Sequence, residues 1–172
     1  MLPEIKGRVA WVFSEPNFDI DLVIGVANIK VREIETLKAL CMKSYDADFA
    51  EKVSKGDLII GGENFGYGHP HPPAFRALRA IGIAGAICDS FSPGFYRAET
   101  CEGFALIECP GVSKETNRWD EIEFDWDEET VYVTRTGKLL RCSKVPQKTK
   151  DLVSCGGMIR YIREKRLPKY SI

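Results

Sequence analysis

Residues 61–78 read GGENFGYGHPHPPAFRAL, and both histidines of the chain, His69 and His71, lie inside this stretch, two residues apart and flanked by prolines. Imidazole changes charge near neutral pH and can act as base, acid or metal ligand. Two rings in one turn are therefore a candidate proton-transfer centre. The glycines beside them let the backbone turn tightly and come close to a ligand. A helix opened by proline follows. A helix start presents unpaired N–H groups and a partial positive charge, so this turn is predicted to attract an anion. The same field favours the neutral imidazole that a general base needs. Glycine spacing alone is a weak signal, because many α/β turns share it; the histidines strengthen it. As a metal site the pair needs Glu63 or a cysteine to complete its shell, since no third histidine exists.

The turn needs elements to hold it. DLIIGGEN is an apolar strand running into the glycines, and PAFRALRAIG (73–82) is the helix that leaves them, closed by Gly82. Upstream, RVAWVF (8–13) reads as a strand, SEPNFDID as a loop and LVIGVANI (22–29) as a second apolar, β-branched segment. Helical spacing of Val31, Ile34, Leu37, Leu40 and Cys41 predicts a helix over 31–43. A shorter helix is predicted over 46–57, stopped by Gly56. Downstream, IAGAICDS and FALIECP read as strands, with SPGFYRAETCEG as a short helix between them. The acidic segment 114–130 reads as a solvated loop with a strand, and VYVTRTGKLLRC (131–142) as a hairpin turning near Thr136 and Gly137. KDLVSCGGMIRYIREK reads as a helix divided at Gly156 and Gly157. Strands alternating with helices through the middle argue an α/β fold with parallel pairing.

With 172 residues the chain is expected to form a single domain, 1–172. A net charge of −1, with Lys and Arg scattered, argues against nucleic acid and anionic membranes as partners. No apolar run reaches the roughly 18 residues of a membrane span, and MLPEIKGRVAWVF lacks the pattern of a signal peptide. A cytoplasmic protein is expected. None of the six cysteines (Cys41, Cys88, Cys101, Cys109, Cys142, Cys155) has zinc-ribbon spacing; they read as reduced thiols, several of them small core hydrophobes.

The stretch GDLIIGGENFGYGHPHPPAFRALRAIGIAGAICDSFSPGFYRAETCEGFALIECPGV resembles the small subunit of 3-isopropylmalate dehydratase, the swivel domain of the aconitase superfamily. GRVAWVFSEPNFDIDLVI is similar to that family's opening, G-R-V-W-x-F-x-D-N-x-D-T-D-x-I-I-P, and LVSCGGMIRYIRE to its closing A-G-G-L-x-x-Y-V. The likeness covers nearly the whole chain, in order. It implies a compact three-layer β/β/α swivelling domain that closes over a separate large subunit. It also implies a [4Fe–4S] cluster in that partner and no cofactor on this chain. The joint reaction removes and re-adds water on a hydroxy carboxylic acid.

The resemblance breaks in the glycine loop. Where the family carries G-x-G-S-S-R-E-H, this chain carries Gly66, Tyr67, Gly68, His69, Pro70, His71, Pro72 and Pro73. His69 stands where the family has its serine base, and His71 where it has the arginine that holds a substrate carboxylate. D-T-D becomes Asp19-Ile20-Asp21, and Tyr96-Arg97 is retained. His69 is then expected as proton-transfer base or acid. His71, Asn64 and the backbone of Gly66, Tyr67 and Gly68 are expected to orient the anion. Arg76 and Arg97 are candidates to compensate for the lost guanidinium. Asp19 and Asp21 shape the loop or meet the substrate. Loss of a bidentate fork points to a substrate with one carboxylate fewer, or one differently placed. Two other readings remain at this point: a non-catalytic regulatory or assembly subunit, and a stand-alone metal site. A hetero-complex with the large subunit is expected ahead of self-association.

Overall fold

The computed structural model describes residues 1–165. Its spine is β1 (Ile5–Phe13), which sits between two half-sheets. On one side β2 (Leu58–Gly61), β3 (Gly85–Cys88) and β4 (Ala105–Glu108) follow in parallel. On the other side β5 (Glu121–Asp125), β6 (Thr130–Val133) and β7 (Lys138–Arg141) form an antiparallel meander. The whole order is β4-β3-β2-β1-β5-β6-β7. β1 serves both halves. Ile5–Arg8 pair with β5, Val9–Phe13 pair with β2, and the register slips between Val9 and Trp11. A bulge of this kind bends a strand and raises its twist.

Three layers follow from the alternation of side chains along the parallel strands. Val9, Leu58, Ile60, Ile87 and Ile107 point to one side and pack against Ile122, Phe124, Val131 and Val133 of the meander. Ala10, Ile59, Ala86 and Leu106 point to the other, onto helices α1 (Ile34–Leu40), α2 (Phe49–Lys52), α3 (Pro72–Ala80) and α4 (Pro93–Cys101). Two-sided burial explains why the parallel strands read as unbroken apolar runs. α5 (Val112–Glu115) and α6 (Gln147–Cys155) flank the β-on-β layer, and α7 (Met158–Lys165) follows after a break at Gly156 and Gly157. Gly156 ends α6 in the left-handed conformation, φ 73°. The β/β/α architecture expected from the sequence is the one observed.

Three sequence assignments need correction. The helix expected over 31–43 is confined to Ile34–Leu40, and that expected over 46–57 is a single turn, Phe49–Lys52. LVIGVANI is not a strand; it lies across two short 3-10 turns, Ile20–Val23 and Val26–Asn28. The Asp19 carboxylate accepts the N–H of Asp21 and starts the first turn, and Gly25 at φ 80° separates the two. Ile20, Val23 and Ile24 still reach the core, so apolarity reported burial and not strand geometry. Among the described residues no helix is long and apolar enough to cross a membrane.

Candidate active site

All four parallel strands end at one edge of the sheet, at Phe13, Gly61, Cys88 and Glu108. In open α/β sheets ligands bind beyond the carboxyl ends of the strands, and that is where the glycine loop emerges. Backbone bonds tie it to its neighbours. Gly66 and Tyr67 both donate to the Phe18 carbonyl, at 3.0 and 3.1 Å, and Asn17 donates to Glu63 at 2.8 Å. Phe65 donates to the Ser90 carbonyl and receives the Ser92 N–H, at 3.0 and 2.9 Å. Side chains add to this: Ser90 Oγ accepts the Asn64 N–H at 2.8 Å, and Asn64 Nδ2 donates to Asn17 Oδ1 at 2.7 Å. Beneath them Phe13, Phe18 and Phe65 stack, with centroids 4.0 and 5.5 Å apart along the series.

Gly66 is required by both conformation and space. Its φ is +80°, and a Cβ there would stand 2.3 Å from the ring of the buried Phe95. The turn that it makes carries the chain into the two histidines.

His71 is the N-cap of α3 and its ring is not free. The Asp21 carboxylate, from the first 3-10 turn, receives the His71 N–H on Oδ1 at 3.0 Å and meets ring Nδ1 with Oδ2 at 2.6 Å. The Asp21 side chain is 6% exposed and that of His71 34%. His69 is exposed and makes no hydrogen bond among the described residues. Its ring stands edge-on to that of His71, centroids 5.2 Å apart at 74°. The turn thus brings together two side chains that an extended backbone would send apart.

Part of the anion site read from the sequence is committed within the protein. Pro72 and Pro73 fill the first two helical positions and carry no N–H, and the Ala74 N–H returns to the His71 carbonyl at 3.3 Å. The Gly66 and Tyr67 N–H groups are spent on Phe18. The anion at this helix start is the protein's own, Asp21.

The remaining candidates scatter. Asp19 caps the 3-10 turn through Oδ1, bonded to the Asp21 N–H at 3.0 Å, and its Oδ2 faces Gly68. Tyr67 is exposed at the loop tip. Arg76 is exposed on α3, in a cleft shared with Lys30, Arg32, Pro72 and Pro73. Arg97 is exposed on α4, without a bond to the loop. Asn17 and Ser90, which brace Asn64, were not singled out from sequence; the polar residues that follow each strand were the available signal. Among the described residues no group of three or more His, Cys, Asp or Glu converges as a metal-ligand set.

No protein-family model matches the chain. It is 35% identical over 161 residues to the isopropylmalate/citramalate isomerase small subunit of Methanocaldococcus jannaschii, covering 94% of this chain and 95% of the relative. It is 32% identical to the 2,3-dimethylmalate dehydratase small subunit of Eubacterium barkeri, covering 85% and 90%. It is 31% identical to the 3-isopropylmalate dehydratase small subunit of Ruminiclostridium cellulolyticum, covering 92% and 96%. The crystal structure of 3-isopropylmalate dehydratase from Methanocaldococcus jannaschii superposes with a TM-score of 0.83 at 28% identity, covering 98% of each chain.

Proposed function

The chain belongs to the family of 3-isopropylmalate dehydratase small subunits, and from that premise we propose how its loop works. It is a hydro-lyase small subunit that acts with a large subunit on a hydroxy carboxylic acid, removing, adding or shifting water. We assign the proton transfer of that reaction to the loop carrying His69 and His71. The observation that carries this assignment is the pair of rings 5.2 Å apart at the carboxyl edge of the parallel strands. They occupy the two positions where the resemblance puts a serine base and a carboxylate-holding arginine.

Dehydration takes a proton from the carbon beside a carboxylate while hydroxide leaves the next carbon. A serine does this only when strongly activated, whereas imidazole accepts a proton near neutral pH unaided. The carboxylate-holding function is what this loop has given up. Paired with Asp21, His71 contributes a net charge of zero or −1, according to whether its ring is protonated, and never the +1 of a free guanidinium. The substrate therefore lacks the carboxylate that an arginine here would grip, or carries it elsewhere.

We place a [4Fe–4S] cluster in the large subunit. That placement rests on the resemblance; on this chain Cys41, Cys88, Cys109 and Cys142 are buried in packing. Such a cluster supplies, when bound, a Lewis acid for the substrate hydroxyl. We place the complex in the cytoplasm, a reading supported by six free thiols. The test is turnover of the chain reconstituted with its large subunit on a panel of hydroxy mono- and dicarboxylates. His69→Ala and His71→Ala should each lower turnover, the more important ring by about 10²–10⁴-fold. Unchanged turnover in both variants would leave a silent assembly subunit as the correct reading.

A further inference from the structure

We propose that Asp21 is the positioning residue of this loop, and that Nε2 of His71, not His69, exchanges the carbon-bound proton. The inference deepens the proposed function and rests on it.

The two rings are held very differently. His69 is exposed and makes no hydrogen bond among the described residues, so apart from its edge-on contact with the His71 ring nothing there holds it, and no hydrogen bond fixes its tautomer. His71 is held at both ends. Its backbone N–H and its ring Nδ1 meet the two oxygens of one buried carboxylate, at 3.0 and 2.6 Å. Pro72 and Pro73 restrict the backbone that follows. Asp21 is anchored in turn by Asp19, which accepts its N–H at 3.0 Å, and by Ile20 and Val23 in the core on either side.

A carboxylate against Nδ1 selects the tautomer in which Nδ1 bears the hydrogen of the neutral ring, leaving the lone pair on Nε2. A buried aspartate does the same for a histidine base in hydrolytic triads, and also stabilises the imidazolium that forms. Other charged or titratable groups near the loop are His69, whose ring meets that of His71, and Asp19, whose Oδ2 stands by Gly68; Arg76, Lys30 and Arg32 line a cleft with Pro72 and Pro73. None of these cations is bonded to Asp21, so the ring is the carboxylate's side-chain partner.

The step balances on these atoms. The C–H proton moves to Nε2, the C–H electron pair becomes the new C=C bond, and the hydroxyl leaves with the C–O pair. The proton on Nε2 and the departing hydroxide together make the one water released; addition runs the same path backwards.

The chain has only two histidines, so their ¹⁵N spectra can be read individually. In the wild-type chain the neutral His71 ring should show a protonated Nδ1 and a pyridine-like Nε2, with His69 mostly in the opposite, solution-like tautomer. Asp21→Asn should release His71 from that tautomer. In the reconstituted complex the same substitution should lower kcat about 10–100-fold while KM stays within about threefold, a fraction of the full acid–base effect. A wild-type His71 with its neutral proton on Nε2 overturns the proposal without any variant. So does an Asp21→Asn complex with normal kcat when His71→Ala is inactive. If His69→Ala and His71→Ala are both fully active, the proton role proposed for the loop fails instead, and the spectra still report whether the pair exists.

Discussion

Glu99 tests the packing of the helix layer on which the loop rests. It lies on α4, 9% exposed, and no hydrogen bond to its carboxyl exists among the described residues. Burial pushes this carboxyl up to about 7; the Arg79 charge pulls it back part of the way, and Glu102 adds to the rise. The folded chain therefore binds this proton more tightly than the unfolded chain, whose glutamate ionises near 4.5. Between those values the folded state holds more protons, so stability falls as pH rises. The contribution is fully present below about 4.5 and lost once pH passes about 7. The gap between those values, at ~1.4 kcal/mol per pH unit, comes to about 3 kcal/mol. For a chain of this size each kcal/mol moves Tm by about 2–4 °C. Thermal unfolding of wild type and Glu99→Gln at pH 5, 6, 7 and 8 is the assay. Glutamine keeps the shape without the charge; since part of the contribution is already lost at pH 5, its Tm advantage should grow by about 5–10 °C from pH 5 to pH 8. Any constant offset from the new amide is subtracted by the comparison across pH. A difference that stays flat, or shrinks as pH rises, refutes the argument that Glu99 is ionised against its surroundings.

Two further expectations concern the loop. Gly66→Ala should lower stability by more than about 1–2 kcal/mol and abolish turnover, because φ +80° and the Phe95 ring 2.3 Å away both oppose a Cβ; denaturant unfolding and activity together check it. His71→Arg made together with Asp21→Asn, so that no carboxylate neutralises the guanidinium, should lower turnover yet raise the preference for dicarboxylates over monocarboxylates by about tenfold or more, since one charge-assisted hydrogen bond is worth roughly 1.5–3 kcal/mol; the ratio of kcat/KM values reads this directly.

Strands and helices around the loop were legible because each carries a local signal. β2 is an apolar run ending in glycines and β3 one ending in the polar Asp89-Ser90, α3 opens on prolines, and Gly137 and Gly156 take the positive φ that a turn and a helix end require. The bend in β1 was not legible: it arises where one strand changes partners between Val9 and Trp11, and nothing in RVAWVF reports its neighbours. Residues 22–29 misled for a related reason. Val23 and Ile24 are apolar because they are buried, and burial has the same composition in a strand and in a 3-10 turn. In the site, the glycines and histidines were visible as a group, but the Asp21–His71 pair spans 50 positions with no periodicity to reveal it. The donors expected from the helix start were miscounted for a simpler reason. Proline favours the first helical turn and also removes the N–H that an anion would use.

That removal explains the pairing itself. A buried carboxylate at a helix start ordinarily takes N–H groups from the first turn, as N-cap aspartates do. Here Oδ1 of Asp21 finds the His71 N–H, and Oδ2 must look further. Pro72 and Pro73 offer it nothing, and Ala74 has turned its N–H to the His71 carbonyl. A buried acceptor left without a partner costs about 1–3 kcal/mol, more when charged, so the imidazole Nδ1 is the donor that removes the penalty. The sequence His-Pro-Pro thus does more than turn the chain. By withholding the competing donors it commits the second oxygen of Asp21 to the ring, and under the proposed mechanism this commitment, set by the backbone of α3, leaves Nε2 as the base.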